Sequence, residues 1–362
     1  MFNRKAIHFC NKLSIRLPII QAPMAGGIVT PALISEVIKK GGLASLPLGY
    51  LSVEEARSAI RKTVALSTSK QFAVNIFLPS AKKDFSKQQM SKMLTYVNQQ
   101  RLTLGLPSIT EVIPLAEANI DELLEMIIHE GIAIVSFTFG ILNNDHMQKL
   151  LKKNIFIMGT ATTAQEGLAL EQAGCHAVIA QGYEAGGHRG GGFLEGHCGG
   201  LVGTIALVPQ MVDALKIPVI ASGGIMDGRG IAAALILGAS AVQMGTAFLM
   251  CEESAASSLH KQMILKNPAE STCVTTIFTG KPVRSFNNAL VANTEKNFSE
   301  HEILPYPLQH QLTKELRSTA NKLACTKYVG LWSGQGTQLS RSISVEQLMT
   351  MLEKETLLAF SR

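Results

Sequence analysis

Short apolar runs alternate along the chain with amphipathic stretches of helical periodicity. Eight of these runs have the length and the aliphatic content of strands that are buried on both faces. They cover residues 18–26, 43–49, 72–77, 132–140, 155–161, 177–186, 218–224 and 241–249. Because a helical stretch follows most of these strands, the pattern predicts parallel βα units, and eight such units predict a (β/α)8 TIM barrel.

Helix start signals mark several of the stretches between the strands. Thr30 stands before Pro31, while Thr163 and Asp227 stand before the segments AQEGLALEQAG and GRGIAAALILG. Thr and Asp side chains accept hydrogen bonds from the free N–H groups of a first helical turn, and proline suits the first helical position. We therefore expect helices to begin directly after these three N-caps.

Two long stretches interrupt the alternation. A polar insertion covers about residues 79–110, and residues 251–332 follow the last predicted strand. Both stretches leave the carboxyl ends of strands, where barrels carry their active sites. We expect a barrel domain over 1–250 and a smaller, mostly helical domain over 251–332 that covers the substrate. The segment 333–362, with a helix at 344–360, is expected to close the barrel.

Composition indicates a large folded core. Hydrophobic residues make up 46% of the 362 residues and charged residues only 17%, which excludes a disordered or coiled-coil chain. The net charge of +6 is spread thinly, and the densest basic patch, Lys82 and Lys83 with Lys87, has no aromatic platform beside it. We therefore expect no nucleic-acid partner, and the mild positive charge suits an anionic small molecule.

Cysteine usage and hydropathy bear on the compartment. The six cysteines form no CxxC pair, and the chain starts without a secretory leader pattern, which is typical of reduced thiols in a cytoplasmic protein. Residues 230–251 carry no charge over 22 positions, which is long enough to span a membrane. Residues 238–240 divide this run into a helical and a strand-like part, so we expect no membrane span.

The predicted strand ends carry glycines and neutral amides rather than carboxylates. Functional groups of a barrel lie at these ends. The lack of paired acids argues against a glycosidase, and the sequence contains no HExxH motif and no Walker A motif. His188 with His197 and Cys198 matches no common metal-ligand spacing, so no metal site is expected.

Two glycine turns follow the seventh and eighth predicted strands, at Ser222-Gly223-Gly224 and at Gly245-Thr246. The loops after these two strands of a barrel commonly bind a phosphate, because glycine lets backbone N–H groups approach the anion. The alternative is that the glycines only permit tight turns. Residues 228–233 imitate a dinucleotide fingerprint, but they begin after the strand's own glycine turn, so we discount them.

The sixth predicted strand is followed by a glycine-rich run, residues 182–192, that contains His188. The neighbouring glycines offer nothing bulky to pack against, which argues against a core histidine. Imidazole titrates near neutrality, so His188 is a candidate general base. The alternative is a flexible surface loop with an incidental histidine.

Six motifs along the chain resemble those of one enzyme family. They are QAPMAGG (21–27), SFTFG (136–140), GYEAGGHRG (182–190), ASGGIMDGRG (221–230), QMGTAFL (243–249) and LWSGQG (331–336). In this order they resemble nitronate monooxygenases of the bacterial class I type, formerly called 2-nitropropane dioxygenases.

The resemblance implies an FMN-dependent barrel that oxidises alkyl nitronates, such as propionate 3-nitronate, with O2 to a carbonyl compound and nitrite. His188 matches the active-site histidine of the family, and Met24 lies in the motif that borders the flavin. The positions that match FMN contacts are Asn75, Gln181, Gly186, Gly223, Gly224, Gln243, Met244, Gly245 and Thr246.

Two other functions remain open. An FMN-dependent enoyl-acyl-carrier-protein reductase, or an NAD(P)H:quinone reductase of the same superfamily, shares the Gly-Gly-His signature, although SFTFG and WSGQG favour the nitronate function. A non-catalytic flavin- or phosphate-binding barrel is the other alternative. The resemblance is weakest over 79–110 and 250–330, where Tyr306 is a candidate pocket residue. The sequence leaves the physiological substrate and the oligomeric state open.

Overall fold

The computed structural model describes residues 2–79, 84–113, 119–194 and 200–361 of the chain. Lys82, Lys83, His197 and Cys198 lie outside these ranges, so the interpretations of charge and metal binding that used them stay predictions. The strands within the ranges are β1 (Ile19–Gln21), β2 (Ser45–Pro47), β3 (Ala73–Phe77), β4 (Ile134–Thr138), β5 (Phe156–Ala161), β6 (Ala177–Gln181), β7 (Gly187–His188), β8 (Val219–Ser222), β9 (Ala241–Met244), β10 (Thr272–Thr275) and β11 (Val283–Phe286).

Eight of these strands form the predicted parallel barrel. Their order around the sheet is β1-β9-β8-β6-β5-β4-β3-β2, and every neighbouring pair is parallel. An isolated parallel bridge between Ile20 and Leu43 joins the two outer strands of this order. The backbone N–H of Gln21 also donates to the backbone carbonyl of Leu43 at 2.9 Å. These contacts close the sheet into a barrel. The fold prediction is therefore confirmed.

Helices surround the barrel and form most of the remaining chain. The α-helices are α1 (Arg4–Leu13), α2 (Pro31–Lys39), α3 (Val53–Ser67), α4 (Lys87–Thr103), α5 (Ile120–His129), α6 (Asn144–Leu151), α7 (Ala164–Gln172), α8 (Thr204–Ala214), α9 (Gly228–Ile236), α10 (Thr246–Leu249), α11 (Ser258–Lys266), α12 (Ala289–Asn297), α13 (Leu308–Lys322) and α14 (Val345–Phe360). The three predicted N-caps are confirmed, since the side chains of Thr30, Thr163 and Asp227 each accept from a backbone N–H of the first turn.

The first and last barrel strands are shorter in the structure than the sequence predicts. The first strand ends at Gln21, before the QAPMAGG motif turns into the pocket. The last strand ends at Met244, and the segment 246–249, predicted as strand, forms the short helix α10. The chain leaves the extended conformation at Gly245, which has φ −105° and ψ −70°.

The amino end of the barrel is closed by the first helix. Phe9 and Leu13 of α1 share an apolar cluster with the inward residues Ile134, Phe156 and Ile220. The rings of Phe9 and Phe156 pack edge to face with centroids 6.2 Å apart. Because apolar side chains fill this end, the carboxyl ends of the strands are left for a binding pocket.

The polar insertion and the segment after the barrel share one second core. Met93 and Val97 of α4 cluster with Leu312 and Leu316 of α13. The segment 251–332 also contributes β10 and β11, which form a small antiparallel sheet with β7 in the order β10-β11-β7. Two stretches far apart in the sequence are therefore joined by apolar packing.

The last helix packs on the outside of the barrel, against α9 and α2. A Cβ atom at Gly228 would lie 2.3 Å from the Cβ of Glu355 on this helix. Close helix packing therefore explains the first glycine of the discounted fingerprint. The uncharged run 230–251 is divided into α9 and β9, as expected, and into α10, where the sequence predicted a continuation of the strand. No helix within the described ranges is both long enough and apolar enough to cross a bilayer.

Candidate active site

One pocket opens at the carboxyl ends of the barrel strands. All eleven residues selected from the sequence line it: Met24, Asn75, Gln181, Gly186, His188, Gly223, Gly224, Gln243, Met244, Gly245 and Thr246. They come from the ends of β1, β3, β6, β8 and β9 and from the loops that follow. The barrel topology brings them together because parallel strands all end at the same rim.

The glycine-rich loop after β6 is held by polar side chains. The amide nitrogen of Gln181 donates to the carbonyl of His188 at 2.9 Å, and its amide oxygen accepts from the N–H of Gly190 at 2.8 Å. The buried Arg189 donates to the carbonyl of Gly182 at 2.6 Å. These bonds fix the backbone on both sides of His188, so the loop is an ordered part of the pocket wall.

His188 is surrounded by aromatic rings. The ring centroids of Phe77, Phe139 and Trp332 lie 6.2, 5.6 and 6.0 Å from that of the imidazole. Its Nε2 atom lies 3.0 Å from the hydroxyl oxygen of Thr279. The interpretation that nothing bulky packs around His188 is therefore wrong, because it considered only sequence neighbours, whereas these residues come from other strands and from the C-terminal motif.

Burial keeps this imidazole uncharged. Burial is the largest cause that lowers the pKa of His188, and together with electrostatic interactions with His310, Lys281 and Arg317 it lowers this pKa from its ordinary value of 6.5 to about 3. The charged form of a histidine is disfavoured both by desolvation and by neighbouring positive charge. At neutral pH, His188 is a neutral hydrogen-bonding group and a weak base.

A second layer of polar residues lies behind the aromatic rings. The rings of Tyr50 and His310 are stacked with centroids 4.6 Å apart, and Arg317 Nη2 lies 3.3 Å from His310 Nδ1. Burial lowers the pKa of Arg317 to about 10. Within the described ranges, this guanidinium contacts Thr313 and His310 but no carboxylate. A half-buried cation without a carboxylate partner favours an anion nearby.

Tyr306 was suggested by the sequence as a pocket residue. It lies one layer farther out, with its ring 6.2 Å from those of Phe139 and His310. It lines an outer groove that shares Tyr50 and Phe77 with the pocket. Tyr306 is therefore close to the pocket but belongs to its surroundings.

The two glycine turns differ in how strictly their geometry requires glycine. Gly223 has φ +119° and Gly224 has φ +70°, values that residues other than glycine rarely adopt. A Cβ atom at Gly223 would lie 2.8 Å from the hydroxyl of Thr204. A Cβ atom at Gly245, in the second turn, would meet only Ala22 and Met24, at 3.7 and 4.0 Å. The first turn therefore requires glycine, while the second tolerates a Cβ.

The C-terminal motif LWSGQG completes the pocket. Trp332, Gly334 and Gly336 line it. The N–H of Gly334 donates to the hydroxyl of Thr246 at 2.9 Å, and a Cβ at Gly186 would lie 2.4 Å from the same nitrogen. Reasoning from strand ends missed these residues as pocket residues because they lie far beyond the last strand, although the motif itself belonged to the resemblance.

The side-chain amides of Asn75 and Gln243 differ in whether they have hydrogen-bond partners. Asn75 Nδ2 donates to the hydroxyl of Ser136 at 2.9 Å. The amide oxygen of Gln243 is buried and has no hydrogen-bond partner within the described ranges. A buried acceptor without a donor costs free energy, so Gln243 has the property of a group that awaits a ligand. Among the described residues, no group of three or more His, Cys, Asp or Glu side chains is arranged to hold a metal ion.

Comparison with known proteins agrees with this site. The nitronate monooxygenase family model matches residues 8–355. A protein of Staphylococcus haemolyticus named probable nitronate monooxygenase is 42% identical over 346 residues, which are 95% of each chain. Another so named, from Staphylococcus aureus, is 39% identical over 339 residues, which are 93% of this chain and 94% of that one.

Solved structures give the same result. A nitroalkane oxidase from Streptomyces ansochromogenes superposes with a TM-score of 0.87 at 32% identity, over 96% of this chain and 97% of that one. FabK from Thermotoga maritima superposes with a TM-score of 0.72 at 28% identity, over 98% and 97% of the two chains. The family model and the Staphylococcus relatives both span nearly the whole chain, so the resemblance carried by the six motifs is confirmed. The chain belongs to the nitronate monooxygenase family and is an oxidoreductase.

Proposed function

We propose that this protein catalyses the FMN-dependent oxidation of alkyl nitronates by O2, with a carbonyl compound and nitrite as products. The observation that carries the proposal is one pocket in which the glycine turns after β8 and β9 are combined with an uncharged histidine enclosed by aromatic rings. Propionate 3-nitronate is the first substrate to test.

The residues of the pocket fit FMN. The unpartnered amide oxygen of Gln243 is an acceptor of the kind that the imide N–H of a flavin requires. The turn at Gly223 and Gly224 leaves backbone N–H groups accessible to a phosphate. When bound, FMN would supply the redox chemistry by which electrons pass from the nitronate to O2. We infer that Met24 borders the flavin and that FMN is held by Asn75, Gln181, Gly186, Gly223, Gly224, Gln243, Met244, Gly245 and Thr246.

Positive charge near His188 supports an anionic substrate. Lys281 Nζ lies 4.4 Å from the ring centroid of Phe139, which itself packs on the imidazole. Arg317 is half-buried behind His310. Both cations lower the pKa of His188, so their positive potential reaches the pocket. A nitronate, which is negatively charged, gains from this potential, whereas a neutral nitroalkane does not.

The low pKa of His188 also favours nitronates over neutral nitroalkanes. A nitronate has already lost its α-proton, so its oxidation requires no base. A neutral nitroalkane must lose that proton in the site, and a base is most effective when its pKa lies near the working pH. With a pKa of about 3, His188 is poorly matched to this task. We infer that His188 orients a nitronate by hydrogen bonding, and that any slow turnover of a neutral nitroalkane depends on His188 as its base.

We further propose that the second core covers the pocket. Residue 188 pairs with Val283 of β11, and Thr279 of the same segment contacts the imidazole. The segment 251–332 therefore reaches the histidine directly. With the insertion at 79–110, which shares its core, this segment would limit the access of water and shape the substrate pocket.

A reductase that consumes NAD(P)H is the second candidate. The sequence left this alternative open, because the enoyl-acyl-carrier-protein and quinone reductases of the same superfamily share the Gly-Gly-His signature at residues 186–188. The two functions differ in their electron donor, since a nitronate monooxygenase takes electrons from the nitronate and a reductase takes them from NAD(P)H. Rapid oxidation of NAD(P)H with an enoyl or quinone acceptor would select the reductase.

The main proposal is tested with the purified full-length protein. We expect a flavin absorption spectrum, identified as FMN after release, and oxygen uptake with propionate 3-nitronate in the absence of NAD(P)H. The matched comparison is oxygen uptake with the corresponding neutral nitroalkane at the same concentration. A colourless protein that FMN does not reconstitute would contradict the proposal.

A further inference from the structure

The carboxylate of Glu184 connects segments that meet at the first glycine turn. Both carboxylate oxygens lie 2.9 Å from the backbone nitrogen of Thr204, at the start of α8. The hydroxyl of Thr204 lies 2.8 Å from Glu184 Oε2. The backbone carbonyl of Glu184 accepts from the N–H of Gln335 in the LWSGQG motif at 3.0 Å. Glu184 thus joins the loop after β6, the start of α8 and the C-terminal motif.

The turn after β8 packs directly on this pair of side chains. The hydroxyl of Thr204 lies 2.9 Å from the carbonyl oxygen of Gly223. A Cβ at Gly223 would lie 2.8 Å from that hydroxyl, and a Cβ at Gly224 would lie 3.2 Å from the Cβ of Glu184. Glu184 and Thr204 therefore pack against the turn, and these contacts stabilise its positive φ angles.

Glu184 also occupies the amino end of α8. The N-cap of this helix is Gly203, which supplies no side-chain acceptor. A carboxylate at that position is stabilised by the free N–H groups of the first turn. The protein's own carboxylate accepts the N–H of Thr204, and the N–H groups of Ala206 and Leu207 bond to the carbonyl of Gly203. A phosphate bound nearby is therefore left with the backbone of the glycine turns.

We propose that Glu184 and Thr204 are positioning residues for the phosphate of FMN. They hold the turn at Gly223 and Gly224 in the conformation that receives the phosphate, without contacting the phosphate themselves. The inference rests on the proposed function, which supplies FMN as the ligand, and it adds residues that lie outside the pocket lining.

Riboflavin provides the test, because it has the ring system of FMN but no phosphate. Dissociation constants for FMN and riboflavin are measured by equilibrium dialysis of the reconstituted full-length protein and of its Glu184→Ala and Thr204→Val variants. We expect the preference for FMN over riboflavin to fall about tenfold in each variant, which corresponds to the loss of one or two supporting hydrogen bonds. Riboflavin affinity should stay nearly unchanged, and Thr204→Ser, which keeps the hydroxyl, should keep the preference.

Glu171 of α7 provides a matched control, because its carboxylate contacts the backbone that leads into β8. Glu171 Oε1 accepts from the backbone nitrogens of Lys216 and Ile217, at 2.7 and 2.9 Å, just before β8 begins. Glu171→Ala removes a comparable backbone contact at the opposite end of β8, so the FMN preference should persist. An unchanged preference in both Glu184→Ala and Thr204→Val would overturn the inference. Equal losses for FMN and riboflavin would also overturn it, since they indicate a general structural role. A wild-type protein without any FMN preference would instead refute the phosphate site itself.

Discussion

The hydroxyl of Thr279 lies 3.0 Å from Nε2 of His188, although the two residues are 91 positions apart. The same hydroxyl oxygen lies 3.2 Å from the carbonyl of Lys281, which fixes it at the edge of the small sheet. A ring nitrogen held in this way restricts rotation of the imidazole of His188. Thr279, in the segment after the barrel, therefore sets the orientation of His188, which lies in the loop after β6.

Removal of this hydroxyl should weaken substrate binding. Thr279→Val keeps the volume but frees the imidazole to rotate, so we expect the KM for a nitronate to rise about threefold to tenfold, the range of one hydrogen bond. Thr275→Val is the control, since the hydroxyl of Thr275 contacts Ile277 N in the same segment rather than His188. Steady-state oxygen uptake gives the KM of both variants. Equal KM values in the two variants would contradict the orienting role.

The two substrate classes should respond differently to loss of the imidazole. His188→Asn retains a polar group of similar reach but no base. We expect nitronate oxidation to stay within about tenfold of wild type, while any turnover of the neutral nitroalkane falls by about 10²-fold or more. Oxygen consumption with each substrate, assayed separately, makes the comparison. If both activities fell equally, His188 would act through substrate binding or the flavin alone.

Buried neutral histidines should make the protein sensitive to acid. Burial, the first cause, lowers the pKa of His260 to about 4, and the pKa values of His188 and His310 to about 3. Between pH 6.5 and these values the unfolded chain binds protons that the folded protein does not, so stability falls as the pH falls. Each histidine contributes at most about 1.4 kcal/mol per pH unit.

This prediction is checked with thermal unfolding at pH 7 and pH 5. His260→Gln keeps a donor for the Trp332 carbonyl, which His260 Nε2 contacts at 2.8 Å. We expect this variant to lose less stability than wild type between the two pH values. Identical losses would mean that His260 is not a source of the acid sensitivity.

Valine in place of Gly224, in the first glycine turn, should weaken flavin binding. Gly224 has φ +70° and packs on Glu184, so Gly224→Val strains the turn and crowds the phosphate site. We expect the folded variant to retain little FMN after purification, measured by absorbance per protein. Gly105→Val is the control for strain alone, because Gly105 has φ +72° with nothing within 4 Å of its Cβ position. Full flavin content in Gly224→Val would place the phosphate elsewhere.

Local sequence signals determined the barrel and the composition of its rim. The strands were visible as apolar runs because parallel strands are buried on both faces. Thr30, Thr163 and Asp227 marked helix starts because an N-cap acts within its own first turn. Gly223 and Gly224 marked a turn because their positive φ angles are a local backbone requirement. The boundaries were less accurate, as at Gly245, since a strand and a buried helical turn both consist of apolar residues.

Only the tertiary structure decided the environment of the site. The low pKa of His188 results from Phe77, Phe139, Trp332 and distant cations, none of which is a sequence neighbour. The common core of the insertion and the segment 251–332 likewise depends on contacts across more than 200 positions. Burial and electrostatic potential are sums over all surrounding atoms, so they are fixed only when the chain has folded, whereas caps and turns are fixed by the few residues that form them.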